Sequence, residues 1–428
     1  MGRGTASVPA LLKERTMLSR RNVLSSVAGL ALAPAIVRAV TPARPVNLAA
    51  NAKPIGPEER AARLAKVQRL MQAAGIGALL VEPGSSLVYF TGVSWWRSER
   101  LTAALIPAEG EVTVVTPFFE APSIRESLAI PAGIRTWNEH ENPLALVADW
   151  LREKSLSLKP VAIEETVRHF ITDGLQKALP GVTVVSGAGV VRGCRMHKTA
   201  AEIALMKTAA DITVEAFRAV GAQVQKGMTP EDINALIIAE TAERGGKGGD
   251  ALVLLGEASA YPHGSGKPQE VREGEVILID GGCSVHGYVS DISRTFVFGE
   301  PTKRQRDVWA QVRQGQQMAF DAAQIGKSCG SVDDAVRGWY EKIGYGPGYG
   351  LPGLSHRTGH GIGMDGHEPV NLVHGEATPL AEGMCFSNEP GLYIPGSFGI
   401  RLEDCFHMTA KGPEWFSVPP PSIDKPFG

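Results

Sequence analysis

Residues 276–298 read VILIDGGCSVHGYVSDISRTFVF. Val276 to Ile279 is an apolar run that ends on Asp280. Gly281-Gly282 and His286-Gly287 are turn text, and Tyr288 to Phe298 is a second extended run carrying Asp291. The pattern predicts a β-hairpin centred near residue 285, with Asp280 and Asp291 opposite or nearly so. Side chains directly opposed in a ribbon lie ~4.5–5.5 Å apart at Cβ. Two carboxylates held there repel, and more so when half buried. Either one of them is protonated or a cation sits between them.

The same oddity recurs in MCFSNEPGLYIPGSFGIRLEDCF, residues 384–406. Glu389 follows apolar Cys385-Phe386 and precedes the Pro390-Gly391 turn. Glu403 lies two residues past Arg401 and therefore on the same face of a strand. Each stretch thus delivers two carboxylates from adjoining strands. Four such groups and a histidine make an oxygen-rich site that suits a pair of divalent Mn, Co, Fe or Zn ions.

The text between these stretches repeats a plan. Thr199-Ala-Ala-Glu202 is a capping box opening a long helix, and Thr229-Pro230 opens a second with proline in its first turn. Strand-rich text follows from about 251 to 299. Thr302 to Gln305 then caps a helix ending at Gly326, Ser331 to Asp334 caps another ending at Gly344, and strand text returns at 384–409. Two helices followed by strands, twice, suggest an internal pseudo-twofold repeat in an α+β domain over 195–415.

The segment 354–369, LSHRTGHGIGMDGHEP, holds His356, His360 and His367, three of the ten histidines in the chain. By itself it reads either as three ligands of one metal or as one ligand beside two proton-moving groups. Gly359, Gly361 and Gly363 argue against a helix that would present His356 and His360 together. Asp365 and Glu368 read as exposed loop acids without a role, and His286 as a surface turn residue.

Upstream, strand and helix text alternate. Glu58 to Gly75 is helical in pattern, and 141–154 and 165–179 are helical again. Ala78–Val81, Leu87–Phe90, Ala103–Ile106, Val112–Val115, Val161–Ile163 and Val182–Val185 read as strands. This predicts an α/β domain over 58–192. It has no Gly-rich phosphate loop, so its role is structural or substrate-gating. The net charge of −2 offers no basic surplus for nucleic acid. Five widely spaced cysteines without a CxxC pair argue against a disulfide framework or thiolate zinc site, and Cys283, Cys385 and Cys405, inside apolar strand text, read as buried free thiols. Ser19-Arg20-Arg21 before the apolar run 27–37 reads as a twin-arginine export signal over 1–39, implying the bacterial periplasm. Pro34 and the short run argue against a membrane-inserted helix. Residues 40–57, with four prolines, read as an unstructured linker.

Taken together, IDGG, SDISRTF, GHGIG, NEPG and RLED resemble the pita-bread metallopeptidases: aminopeptidase P, prolidase and methionine aminopeptidase, with creatinase as a metal-free relative. The resemblance covers nearly all of 55–410. It implies a creatinase-type N-terminal domain, a pita-bread C-terminal domain and two divalent metal ions, manganese before cobalt, zinc or iron. The implied ligands are Asp280, Asp291, His360, Glu389 and Glu403, around a bridging hydroxide that acts as nucleophile. The N-terminal domain and HRTGHGIG…HE point to the proline-specific branch, acting on Xaa-Pro peptides or dipeptides. There His263, His356 and His367 match histidines that contact substrate, Glu389 a general base, and Arg401 a support for a metal-bound aspartate. The histidine question resolves to one ligand, His360, flanked by two others. The family also implies a homodimer; Trp95 and Trp96 read either as reaching a neighbouring subunit's site or as two ordinary half-buried tryptophans. The same fold hosts lyase or amidase chemistry on small metabolites, and a binding module without turnover is a third reading; retention of all five ligands argues against the last.

Overall fold

The upstream apolar runs assemble into a mixed six-stranded sheet, which the computed structural model places within a described span of residues 45–428. The export-signal reading of 1–39 falls outside the described residues. The chain enters at α1 (Pro57–Ala73), with proline in its first turn, and continues β1 (Ala78–Val81), α2 (Ser85–Thr91), β2 (Ala103–Pro107) and β3 (Val112–Pro117). Then come α3 (Ala121–Ser127), β4 (Ala132–Trp137), α4 (Pro143–Glu153), β5 (Val161–Ile163), α5 (His169–Ala178), β6 (Val184–Ser186) and α6 (Ala188–Arg195). The strand order is β4-β3-β2-β1-β5-β6. β1 shows why both faces are covered. Leu79 and Val81 enter one apolar cluster with α1, α2 and α6, whereas Ala78 and Leu80 enter another with α4 and α5.

The stretch Leu87–Phe90, expected as a strand, is helical. Gly84 and Gly92, at φ 152° and 82°, bracket it, and Leu87 and Phe90 fall three apart on one buried face. Aromatic and β-branched composition misleads here because helical spacing serves the core equally well.

The second half is α7 (Ala200–Gly221), α8 (Pro230–Glu243), β7 (Lys247–Leu255), β8 (Val276–Val285), β9 (Tyr288–Val289) and β10 (Ile292–Val297). The plan then recurs as α9 (Lys303–Ala322), α10 (Cys329–Lys342), β11 (Gly359–Gly361), β12 (Glu368–Leu372) and β13 (Cys385–Asn388). It closes with β14 (Gly391–Ile394), β15 (Phe398–Arg401), β16 (Asp404–Thr409) and β17 (Gly412–Trp415). The capping boxes at Thr199, Thr229 and Thr302 are all formed. The fourth expected cap is not at Ser331: α10 begins at Cys329 after Ser328, and Ser331 Oγ bonds back to the Ser328 carbonyl at 2.6 Å. Each helix pair covers its own sheet, β10-β8-β7 in one half and β12-β11-β13-β16-β17 in the other. This is the pita-bread arrangement with its internal repeat.

Two boundaries differ from expectation. Residues 45–56 are no free linker, since Ala49, Ala52 and Ile55 pack on the core of the α7–α8 half. The fold also continues past 415, because Phe416 and Ile423 are buried and Phe427 packs edge-on to Phe296. All five cysteines are free and buried. Among the described residues no helix is long and apolar enough to cross a membrane.

Candidate metal centre

The β8–β10 ribbon turns at His286-Gly287, whose φ values of 49° and 86° are those of a two-residue type I′ turn. This centres the hairpin one position later than the turn text suggests. Asp280 consequently lies opposite Ser293, and the same register sets Asp291 opposite Gly282. The two aspartates are therefore diagonal neighbours on one face, not directly opposed. Gly282 is required there, because any Cβ would collide with the Ser290 carbonyl.

In the second half, Asn388 pairs with Asp404 and Gly391 with Arg401. That single register sets Glu389 directly opposite Glu403, where the chain crosses from one strand pair to the next. The two ribbons meet along β10. Glu403 N donates to the Ser293 carbonyl at 3.1 Å, and Thr295 Oγ1 to the Arg401 carbonyl at 2.6 Å. Behind this seam lies an ion pair, Arg294 Nη2 to Asp404 Oδ1 at 2.7 Å, with both side chains at most 1% exposed.

The seam gathers all five expected ligands. Asp280, Asp291 and Glu403 bring ligand atoms within 4.8 Å of one another, as do His360, Glu389 and Glu403. His360 Nδ1 faces the Gly361 carbonyl at 3.1 Å, which fixes the proton on that nitrogen. Its Nε2 is left pointing at Glu389 Oε1, 3.2 Å away, and Asp291 Oδ2, 3.7 Å away. Burial lowers the imidazole to about 3, so it is the neutral, ligand-competent form at physiological pH. Burial, and then the neighbouring carboxylates, push Asp291 and Glu403 well above the usual range, and Glu389 up to about 7. Asp280 goes the other way: burial would raise it, but the Arg401 charge and the hydrogen bonds from Ser293, Glu403 and Arg401 together hold it low. Glu403 Oε1 is buried without any hydrogen-bond partner. A cluster of like charges with an orphaned buried oxygen fits divalent cations and is hard to explain without them.

Arg401 Nη2 donates to Asp280 Oδ2 at 2.6 Å and its Nε to Ser293 Oγ at 3.1 Å. Ser293 Oγ stands 2.8 Å from both Asp280 Oδ1 and Glu403 Oε2. Arg401 Nη1 also donates to Tyr393 Oη at 3.0 Å, and that hydroxyl faces His356 Nε2 at 2.7 Å. With His356 Nδ1 on the Arg357 carbonyl at 2.7 Å, both nitrogens of this ring are engaged. In this arrangement His356 reaches Arg401 through Tyr393. His367 is different: its ring centre lies 4.1 Å from that of His360, and its nitrogen is within ligand reach of Asp291 and His360. Burial, then the Arg357 charge, lower its pKa. His263, His356, Arg357 and His367 line one cavity of about 350 Å³ with the five ligands and Arg401. Ser293, Tyr393 and Arg357 were not singled out from the sequence; the motif text SRT and HRT was the available signal for Ser293 and Arg357, and the strand after NEPG for Tyr393.

Glu368 departs furthest from its reading as an exposed loop acid. It is 5% exposed and accepts from Lys198 Nζ at 2.9 Å, Arg195 Nη2 at 2.5 Å and the amide of Met364 at 2.9 Å. Asp365 remains exposed but is bonded by Arg195 and by Ser85 of α2. The loop carrying His367 is thus fastened to both domains. Burial works to raise the Glu368 carboxyl, but Lys198 and Arg195 prevail and hold it at about 2. A depressed carboxylate stabilises the fold above its unfolded pKa of ~4.3, and that contribution disappears as pH falls toward 2. Glu368→Gln should therefore cost about 3 kcal/mol at pH 7, with the gap to wild type narrowing between pH 4.5 and pH 2. Urea unfolding across that range checks this, and a gap independent of pH would refute it.

Trp95 and Trp96 stack on each other at 4.4 Å, and Trp95 Nε1 donates to Glu120. Trp95 lines a junction cavity with Asp365 and His367 of its own chain, while Trp96 is 64% exposed.

Fold and site together define a two-domain metallopeptidase. The chain belongs to metallopeptidase family M24, matched at residues 204–410, and carries a creatinase/prolidase N-terminal domain at 63–197. It is 33% identical over 360 residues to the probable dipeptidase PepE of Mycobacterium tuberculosis, covering 83% of this chain and 93% of that one. It is 30% identical over 368 residues to the Xaa-Pro dipeptidase of Lactobacillus helveticus, covering 83% and 96%. The crystal structure of dipeptidase PepE from Mycobacterium ulcerans superposes with a TM-score of 0.78 at 31% identity, over 86% of this chain and 98% of the other.

Proposed function

We propose that this protein hydrolyses the peptide bond that precedes proline, in dipeptides or at the N-terminus of peptides. The observation that carries the reading is the gathering of Asp280, Asp291, His360, Glu389 and Glu403 with His263 and His367 in one cavity, beneath a creatinase-type N-terminal domain. Relatives named dipeptidase and Xaa-Pro dipeptidase support it.

The five residues would hold two divalent ions, manganese by preference. When bound, the ions supply Lewis acidity toward the scissile carbonyl and a nucleophilic water at neutral pH. The chain's own groups do the rest. An Xaa-Pro bond is a tertiary amide without an N–H, so the site must grip the carbonyl oxygen. His367, near His360 and open to the cavity, donates to that oxygen, with His263 on the other wall. Glu389 takes the proton of the attacking water and returns it to the proline nitrogen as the C–N bond breaks. Arg401 keeps Asp280 ionised, and Tyr393 and His356 hold Arg401 in place. Residues 1–39 direct export by the twin-arginine route, which carries folded, metal-loaded protein, and the working form is a homodimer.

The test is release of the N-terminal residue from Xaa-Pro and Xaa-Pro-Yaa substrates against Xaa-Ala controls. Turnover confined to the proline series, abolished by chelation and restored by manganese, is expected. No turnover under any divalent metal would sink the proposal.

A further inference from the structure

A groove of about 740 Å³ runs along the outer edge of β7, lined by Ala251 to Leu254, by the loop His263 to Gln269, and by Thr229 to Glu231 and Asn234 at the start of α8. In the order β10-β8-β7, β7 has β8 on one side and no strand on the other among the described residues. An edge of this kind offers main-chain donors and acceptors to any extended chain laid beside it. Here most of that edge is already blocked. Ala251 N donates to Asn234 Oδ1 at 2.9 Å, and Leu255 N to Gln269 Oε1 at 2.9 Å. Residues two apart point their main-chain groups the same way in an antiparallel ladder. Val253, midway between the two blocked amides, therefore also faces outward, and its N–H and C=O have no partner among the described residues. What remains open includes the N–H and C=O of Val253, the complement of one residue of an added strand.

The groove adjoins the metal centre. His263 lines both cavities, and Leu252 lies across the ladder from Asp280. A chain on the outer side of β7 would lie two strand spacings from β8, roughly 10 Å. About three extended residues cover that distance. The rim of the groove is Gly264-Ser265-Gly266, where side chains leave room, and Lys267 stands beside it as a positive group.

We infer that this groove binds the residues of an oligopeptide downstream of the scissile bond, by strand addition to Val253, so that Xaa-Pro peptides longer than dipeptides are the better substrates. The inference rests on the Xaa-Pro reading above and deepens it by naming the length class. The experiment is a series, Ala-Pro, Ala-Pro-Ala, Ala-Pro-Ala-Ala and Ala-Pro-Ala-Ala-Ala, turned over by the manganese-loaded full chain. The kcat/KM should rise about 10-fold or more between the dipeptide and the pentapeptide. N-methylation of one downstream amide in the pentapeptide should erase that rise, while methylation of its neighbour should not. Gly266→Trp places an indole where a Cβ has nothing within 4 Å. It should bring the pentapeptide down to the dipeptide value and leave the dipeptide unchanged. Turnover of the dipeptide with a flat or falling length series overturns the groove and leaves the Xaa-Pro reading standing. Absence of turnover across the whole series overturns both.

Discussion

Stripped of metal, the protein should lose stability as pH rises from about 4.5 to about 7, and Glu403→Gln should remove much of that loss. Burial and mutual repulsion raise Glu389 to about 7 and push Asp291 and Glu403 well above their ordinary range. Carboxyls raised in the folded state bind protons more tightly there than in the unfolded chain, where they titrate near 4.3. The stabilisation is complete below that value and is lost as pH climbs through the folded one. For Glu389 alone the loss is about 4 kcal/mol. Metal reverses the sign, because ligands must be ionised to bind it, so metal affinity should rise across the same window. Melting temperatures at pH 5 and pH 8, with and without manganese, measure both effects. Glu403→Gln keeps the shape but removes one charge. Its metal-free form should be more stable than metal-free wild type at pH 8. Its metal content should collapse, and turnover should fall by roughly 10³-fold or more. A flat pH profile for the metal-free protein, or full metal retention by Glu403→Gln, would contradict the account.

Turnover by His367→Ala should fall by about 10²–10³-fold with metal content unchanged, whereas His360→Ala should lose metal. The two rings are 4.1 Å apart, yet their settings differ. His360 is 1% exposed, with Nδ1 on a carbonyl and Nε2 aimed at Glu389 and Asp291. His367 is exposed, on a loop anchored by its neighbour Glu368. Elemental analysis beside steady-state kinetics separates the roles. Because a His367 nitrogen is also within ligand reach of Asp291 and His360, loss of metal from His367→Ala would make it a ligand and remove it from oxyanion binding.

The carboxylate pairs were legible because each breaks a local rule: an acid adjoining apolar strand text, twice, with turn residues between. The α/β alternation and the caps at Thr199 and Thr302 were legible because hydrophobic period and cap chemistry act over a few residues. Leu87–Phe90 was misread because its composition suits a strand while its i,i+3 spacing suits a buried helix. Glu368 was misread because its partners, Arg195 and Lys198, lie about 170 residues away in the chain. Nothing local marks an acid that distant cations will bury.

From sequence alone came the two-domain plan, the repeated helix–strand order and two pairs of strand carboxylates, since residue type and spacing along a strand set which face a side chain occupies; that His360 completes the ligand set was implied by the family resemblance. Only the tertiary structure decided that Asp280 and Asp291 are diagonal while Glu389 and Glu403 oppose, because register depends on where a two-residue turn closes. Only it showed His356 hydrogen-bonded to Tyr393, which aspartate Arg401 grips, and the N–H and C=O of Val253 left open on the edge of β7. Each of those depends on contacts between segments far apart in the chain, and long-range contacts are settled by packing, not by local pattern.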